Sequence, residues 1–249
     1  MVEGKRSGGM MTVRNEQAGP DGVEAARASR QMLFRMAVFS TVLGVLYLAG
    51  LLGKLIVDGS INSTSSAGVQ SISAVIALLW DVALLILFAA LRREASGSRA
   101  FYAELALLFM ALVCATSSVN WFIQLTIVPS LAGRAGLMGA LLDSHNEFSI
   151  TFAMEHLGWG LFYGLAALFA AAATGKGGLE NWIRWLFITG GALSLLHLVG
   201  VAISNPTLGL LGYFAWGLLL PVTTALLAVE CGRSRGAGSP LRSDGQPEK

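Results

Sequence analysis

Six polar side chains stand inside long apolar stretches of this 249-residue sequence, and they are the ones placed to do chemistry there: Asp81, Asn120, Gln124, Glu155, His156 and His197. A charged group near the centre of a bilayer costs at least ~2.5 kcal/mol on insertion scales, so one that is kept there usually faces a bundle interior or a cavity. No Lys or Arg lies at a depth comparable to Asp81 or Glu155. Each carboxyl must then be protonated, paired or wet, and such a group can bind a cation or relay a proton. Asn120 and Gln124 are four residues apart and share a helical face. Glu155 and His156 are adjacent, about 100° apart around a helix, so both can border one cavity without projecting alike. The pattern predicts an outward-opening polar pocket, with Glu155 paired to His197 or His156 to Gln124, and Asp81 below them. As packing glue, the same groups would each supply an interhelical hydrogen bond of about 0.6 kcal/mol.

The elements that must position these residues are six apolar blocks, close to Leu33 to Val57, Gln70 to Leu91, Phe101 to Val128, Thr151 to Thr174, Trp182 to Ile203 and Thr207 to Glu230. Each reaches the ~20 residues that a helix needs to cross ~30 Å of hydrocarbon. Hydrophobic residues make up 54% of the chain and charged ones 13%, against roughly 25% charged in a soluble domain. The fold class predicted is all-α, a polytopic transmembrane bundle of six helices. Residues 1–32 read as a largely disordered N-terminal segment, 33–231 as the transmembrane domain and 232–249 as a disordered tail. Asp21 and Glu24 have the spacing of a capping pair, from which a helix would run through Arg35 into the first span.

Orientation follows from charge. Of the seventeen Lys and Arg residues, only Lys54 and Arg134 fall on one side of the predicted spans, and the other fifteen fall on the opposite side. By the positive-inside bias both termini are cytoplasmic. Asp81 is twelfth of the twenty-two residues from Gln70 to Leu91, near the midplane, and the other five polar residues fall in the outer half.

The long outer loop carries Asp143, His145 and Glu147, but Ser144 and Glu147 have the spacing of a capping box ahead of the fourth block, which accounts for the Glu without a metal. Leu137, Met138, Leu141 and Leu142 suggest a short helix in the interface. Glu104 is expected at the surface, within reach of Arg99. Trp182 and Trp185 flank Arg184 as belt anchors do. Gly160 and Gly164 form a small-xxx-small face that lets another helix, in this chain or a partner, approach the fourth span closely. Pro221 should kink the sixth. Cys114 and Cys231 lie at different depths, which disfavours a disulfide. No phosphate loop, nucleophile elbow, zinc-protease or Cys-x-x-Cys motif occurs. His156 and His197 are the one possible haem pair, and no buried Lys offers a retinal Schiff base. No cofactor, metal or nucleic-acid partner is expected.

The segments Asn120 to Leu125, Ala153 to Gly160, Leu179 to Phe187 and Leu220 to Val222 resemble those of a family of uncharacterised small bacterial integral membrane proteins with six helices. The likeness covers about the last 130 residues. It implies a multi-pass protein of the bacterial plasma membrane and assigns no catalytic residue. The leading expectation is a non-enzymatic protein, surrounded by lipid, that binds or passes a small solute or ion. The alternatives are an intramembrane enzyme acting on a lipid or isoprenoid substrate, and a structural or regulatory subunit docking through Gly160 and Gly164.

Overall fold

The computed structural model describes residues 20–58, 67–131, 136–143 and 146–236, and among them there is helix and no strand. Helix α1 runs over Pro20–Asp58, α2 over Ala67–Glu94 and α3 over Ser98–Ser130, and the short α4 over Leu137–Leu142. The fourth long element is composite. It passes from α5 (Ile150–His156) through a π-helical stretch (Leu157–Phe162) into α6 (Tyr163–Ala173). After α7 (Gly178–Ala202), the sixth runs from α8 (Pro206–Gly209) through a second π-helical stretch (Tyr213–Leu219) to α9 (Leu220–Gly236).

Among the described residues six helical elements are long and apolar enough to cross a membrane: Arg27–Gly53, Ser71–Glu94, Ser98–Ser130, Ile150–Ala173, Gly178–Ala202 and Pro206–Arg233. They are called spans 1 to 6 below. Each follows one of the six apolar blocks of the sequence. The polar approach to span 1 is helical from Pro20 and continuous with the span, as the Asp21 and Glu24 spacing predicts.

The spans run alternately up and down, and each packs on the next around a closed ring, span 6 returning to span 1. One end of the ring carries Arg92, Arg93, Arg99, Lys176 and Arg184 and is called the basic end; the opposite end carries α4. A ring of six leaves an axis that backbones cannot fill, and large side chains fill it instead. Trp80 of span 2 meets Trp159 of span 4 at a ring separation of 6.0 Å, Trp159 meets Trp216 of span 6 at 5.9 Å, and Phe88 of span 2 meets Phe187 of span 5 edge-on at 6.2 Å.

Small residues set how closely the ring closes. A Cβ on Gly44 of span 1 would stand 2.6 Å from Pro221 Cγ and 2.9 Å from Trp80, and one on Gly164 would stand 2.9 Å from Leu195 Cγ of span 5. Gly160 likewise faces Leu198. The helix that approaches the Gly160 and Gly164 face is span 5 of the same chain.

Several local expectations change. Span 4 is capped by Ser149, whose hydroxyl accepts from the Phe152 N–H at 3.0 Å. Ser144 and His145 lie outside the described residues, and the cap belongs to Ser149 because it directly precedes the helix, five residues past Ser144. Glu104 is exposed, as expected, but its ion-pair partner is Arg92 at 2.7 Å rather than Arg99. Both cysteines are free thiols, as their different depths predict.

Candidate functional site

All six sequence-selected residues lie in the half of the bundle between the midplane and the end opposite the basic one, but their pairing differs from expectation. The Asn120 Nδ2 donates to Glu155 Oε2 at 3.1 Å. The Gln124 amide donates to the Leu142 carbonyl at 2.8 Å, which ties α4 to span 3. His156 Nδ1 lies 2.8 Å from His197 Nε2. The expected pairs of Glu155 with His197 and His156 with Gln124 are therefore replaced. The reason is the angular offset already noted: neighbours on one helix point to different partners, so Glu155 turns to span 3 and His156 to span 5.

Asp81 is 1% exposed and lies beside span 3, where the Ser118 hydroxyl donates to its Oδ2 at 3.3 Å. One residue earlier Trp80 points at the axis, and the Cys114 thiol donates to the Asp81 backbone carbonyl at 3.1 Å. Tyr47 of span 1 and Tyr213 of span 6 complete the surroundings. Tyr47 lies near enough to Asp81, Glu155 and Tyr213 to act on them electrostatically, and Glu155 near enough to Asp81 and Tyr213. Side chains from all six spans thus converge around two carboxyls and two imidazoles. The two tyrosines escaped the sequence reading because an interfacial or packing Tyr has no distinguishing spacing.

The histidine pair has a fixed polarity. His197 Nδ1 lies 2.5 Å from the Gly209 carbonyl, which can only accept, so Nδ1 carries the hydrogen. In a neutral His197, Nε2 is then the acceptor, and His156 Nδ1 donates to it. That carbonyl is available because the helix breaks there: the Tyr213 N–H bonds to Leu210 O rather than to Gly209 O four residues back. His197 replaces the missing helical bond. Gly200 and Gly212 permit the approach, since a Cβ on either would collide, the first with Leu208 and the Gly209 backbone, the second with Trp216 and the His197 ring.

Both π-helical stretches border the cluster. The first begins directly after His156 and carries Trp159; the second carries Tyr213 and Trp216. A π turn admits an extra residue per turn at a cost in regular bonding, and it recurs at functional sites. Neither stretch was evident from apolar periodicity, which a single wide turn hardly alters. Trp216 packs edge-on against His197 at 4.8 Å, and Phe152 against His156 at 4.0 Å.

These groups are mostly buried and hydrogen-bonded within the bundle, where the sequence suggested walls of an open pocket. Asn120 is 0% exposed, His197 1% and Gln124 3%, while Glu155 is half-buried. The Asn120 Oδ1 is buried with no hydrogen-bond partner among the described residues. As placed, the two histidines cannot sandwich a haem iron, because metal bonds of about 2 Å on either side would separate the nitrogens by about 4 Å. Among the described residues no three His, Cys, Asp or Glu side chains are grouped to hold a metal ion.

Comparison with protein-family models, with curated proteins and with solved structures finds no match for this chain.

Proposed function

We propose that the chain is a multi-pass protein of the bacterial plasma membrane, with both termini cytoplasmic, that binds and passes a small solute or ion through its polar cluster. The ion favoured is a small cation, a proton included. The observation that carries this reading is the set of buried polar contacts by which Asp81, Glu155, His156 and His197 tie spans 2 to 6 together beside two π-helical turns. Carboxyls within an apolar ring, without a Lys or Arg at their depth, are acceptor groups suited to a cation. The buried Asn120 Oδ1 adds an acceptor with capacity to spare. The charge asymmetry of the loops supports the orientation, which an impermeant maleimide would test by labelling Met138→Cys from outside the cell.

The direct test of binding is thermal unfolding of the detergent-purified chain in sodium, potassium, ammonium or magnesium chloride, with choline chloride as control at equal ionic strength. A cation at 100 times its Kd should add about 2.7 kcal/mol of stability. Wild type should respond to at least one of these cations, and Glu155→Gln and Asp81→Asn should lose the response. A wild type indifferent to cation identity, or variants that respond as it does, would sink the reading.

A further inference from the structure

At the basic end the axis of the ring is not filled. A cavity of about 180 Å³ lies there, with wall residues from all six spans. Its sides are small, with Ala103 and Ala106 from span 3 and Ala170 and Ala173 from span 4, and Phe88, Ile183 and Leu227 give it an apolar lining. Farther along the axis bulkier side chains close the bundle. From Phe88 to Asp81 is seven residues of helix, about 10 Å, so a plug about two turns thick separates this cavity from the polar cluster. An apolar cavity of about 150 Å³ accommodates benzene, so the space here suits an isobutyl or benzyl group.

The rim bears both signs of charge. Arg30 and Glu94 hold each other at 3.0 Å. Arg99, at the start of span 3, and Glu180, in the first turn of span 5, also line the cavity, and neither is in an ion pair among the described residues. An apolar bowl with one uncommitted cation and one uncommitted anion at its mouth is complementary to a molecule that carries both charges and an apolar side group. Six neighbouring helices enclose the bowl, which favours a water-borne molecule over a bilayer lipid.

We infer that this cavity is a binding site for a small amphipathic zwitterion, an α-amino acid with an aliphatic or aromatic side chain. Its ammonium faces Glu180, its carboxylate faces Arg99, and its side chain enters the alanine-lined bowl. The inference does not depend on the cation reading of the polar cluster.

Calorimetric titration of the detergent-purified full chain with L-leucine and L-phenylalanine tests it. Saturable binding is expected, and 3-methylbutylammonium and 4-methylpentanoate, which keep the leucine side group and one charge each, should bind at least about tenfold more weakly, the equivalent of one lost contact of about 1.4 kcal/mol. Ala106→Leu should fill the bowl and abolish binding. If that variant does not fold, the rim variants decide. Glu180→Gln should weaken leucine about tenfold and leave 4-methylpentanoate unchanged; Arg99→Gln should weaken leucine similarly and leave 3-methylbutylammonium unchanged. Glu155→Gln should bind leucine as wild type does, which keeps this site separate from the polar cluster. Absence of saturable binding to wild type, equal affinity for a singly charged analogue, rim variants that bind leucine as wild type does, or a folded Ala106→Leu that still binds would each overturn the proposal.

Discussion

Trp80→Ala is expected to destabilise the protein by about 3 to 5 kcal/mol, the range for removal of a buried aromatic side chain. Trp80 is 2% exposed and stands on the axis between Tyr47, at a ring separation of 5.7 Å, and Trp159, at 6.0 Å. A helix ring cannot collapse onto the vacated centre, because Gly44 against Pro221 and Gly164 against Leu195 already hold neighbouring helices as close as their side chains allow. The void would therefore persist. The indole Nε1 has no hydrogen-bond partner among the described residues, so the loss is one of packing alone. Trp80→Phe should accordingly cost much less, since it keeps a ring and removes an unsatisfied buried donor that itself costs about 1 to 3 kcal/mol. Equilibrium unfolding in mixed detergent micelles measures both. Equal losses for the two variants would contradict the packing account.

His197→Leu should have the next largest effect. It deletes both bonds of the relay and leaves Gly209 O and His156 Nδ1 without their partner, each at a cost of about 1 to 3 kcal/mol. His197→Gln, whose amide has both a donor and an acceptor, should retain part of the stability. A double-mutant cycle with His156→Leu should give a coupling of about 0.5 to 3 kcal/mol, because the two residues share one hydrogen bond. Strict additivity would show that the histidines merely touch.

How much of this was legible in the sequence depends on which physical signal each feature leaves. The six spans were legible because hydrocarbon demands some twenty apolar residues in a row, and the interruptions between blocks are polar and short. The six polar residues were legible for the same reason, each being expensive where it stands. Their pairing was not, because Glu155 and His156 lie about 100° apart and depth alone does not choose between spans 3 and 5. The cap at Ser149 was hidden by a better-matching pattern at Ser144, and capping-box spacing occurs without a helix behind it. The π turns leave almost no trace in hydropathy; in hindsight the glycines at 158, 160, 212 and 217 mark where the backbone departs from the regular helix. The cavity at the basic end arises from alanines that read in the sequence as ordinary helix formers. Only closure of the ring, which brings Ala106 opposite Leu227, makes their small size consequential.

Passage of a small cation through the polar cluster can be measured as flux into proteoliposomes. Vesicles carrying pyranine or a sodium-sensitive dye would be given an imposed proton or sodium gradient, with wild type, Glu155→Gln and protein-free vesicles compared at equal lipid. Wild type should dissipate one of these gradients faster than protein-free vesicles, and Glu155→Gln should fall to the protein-free rate. Wild-type vesicles as tight as protein-free ones to both ions, or a Glu155→Gln rate equal to wild type, would contradict passage through the cluster.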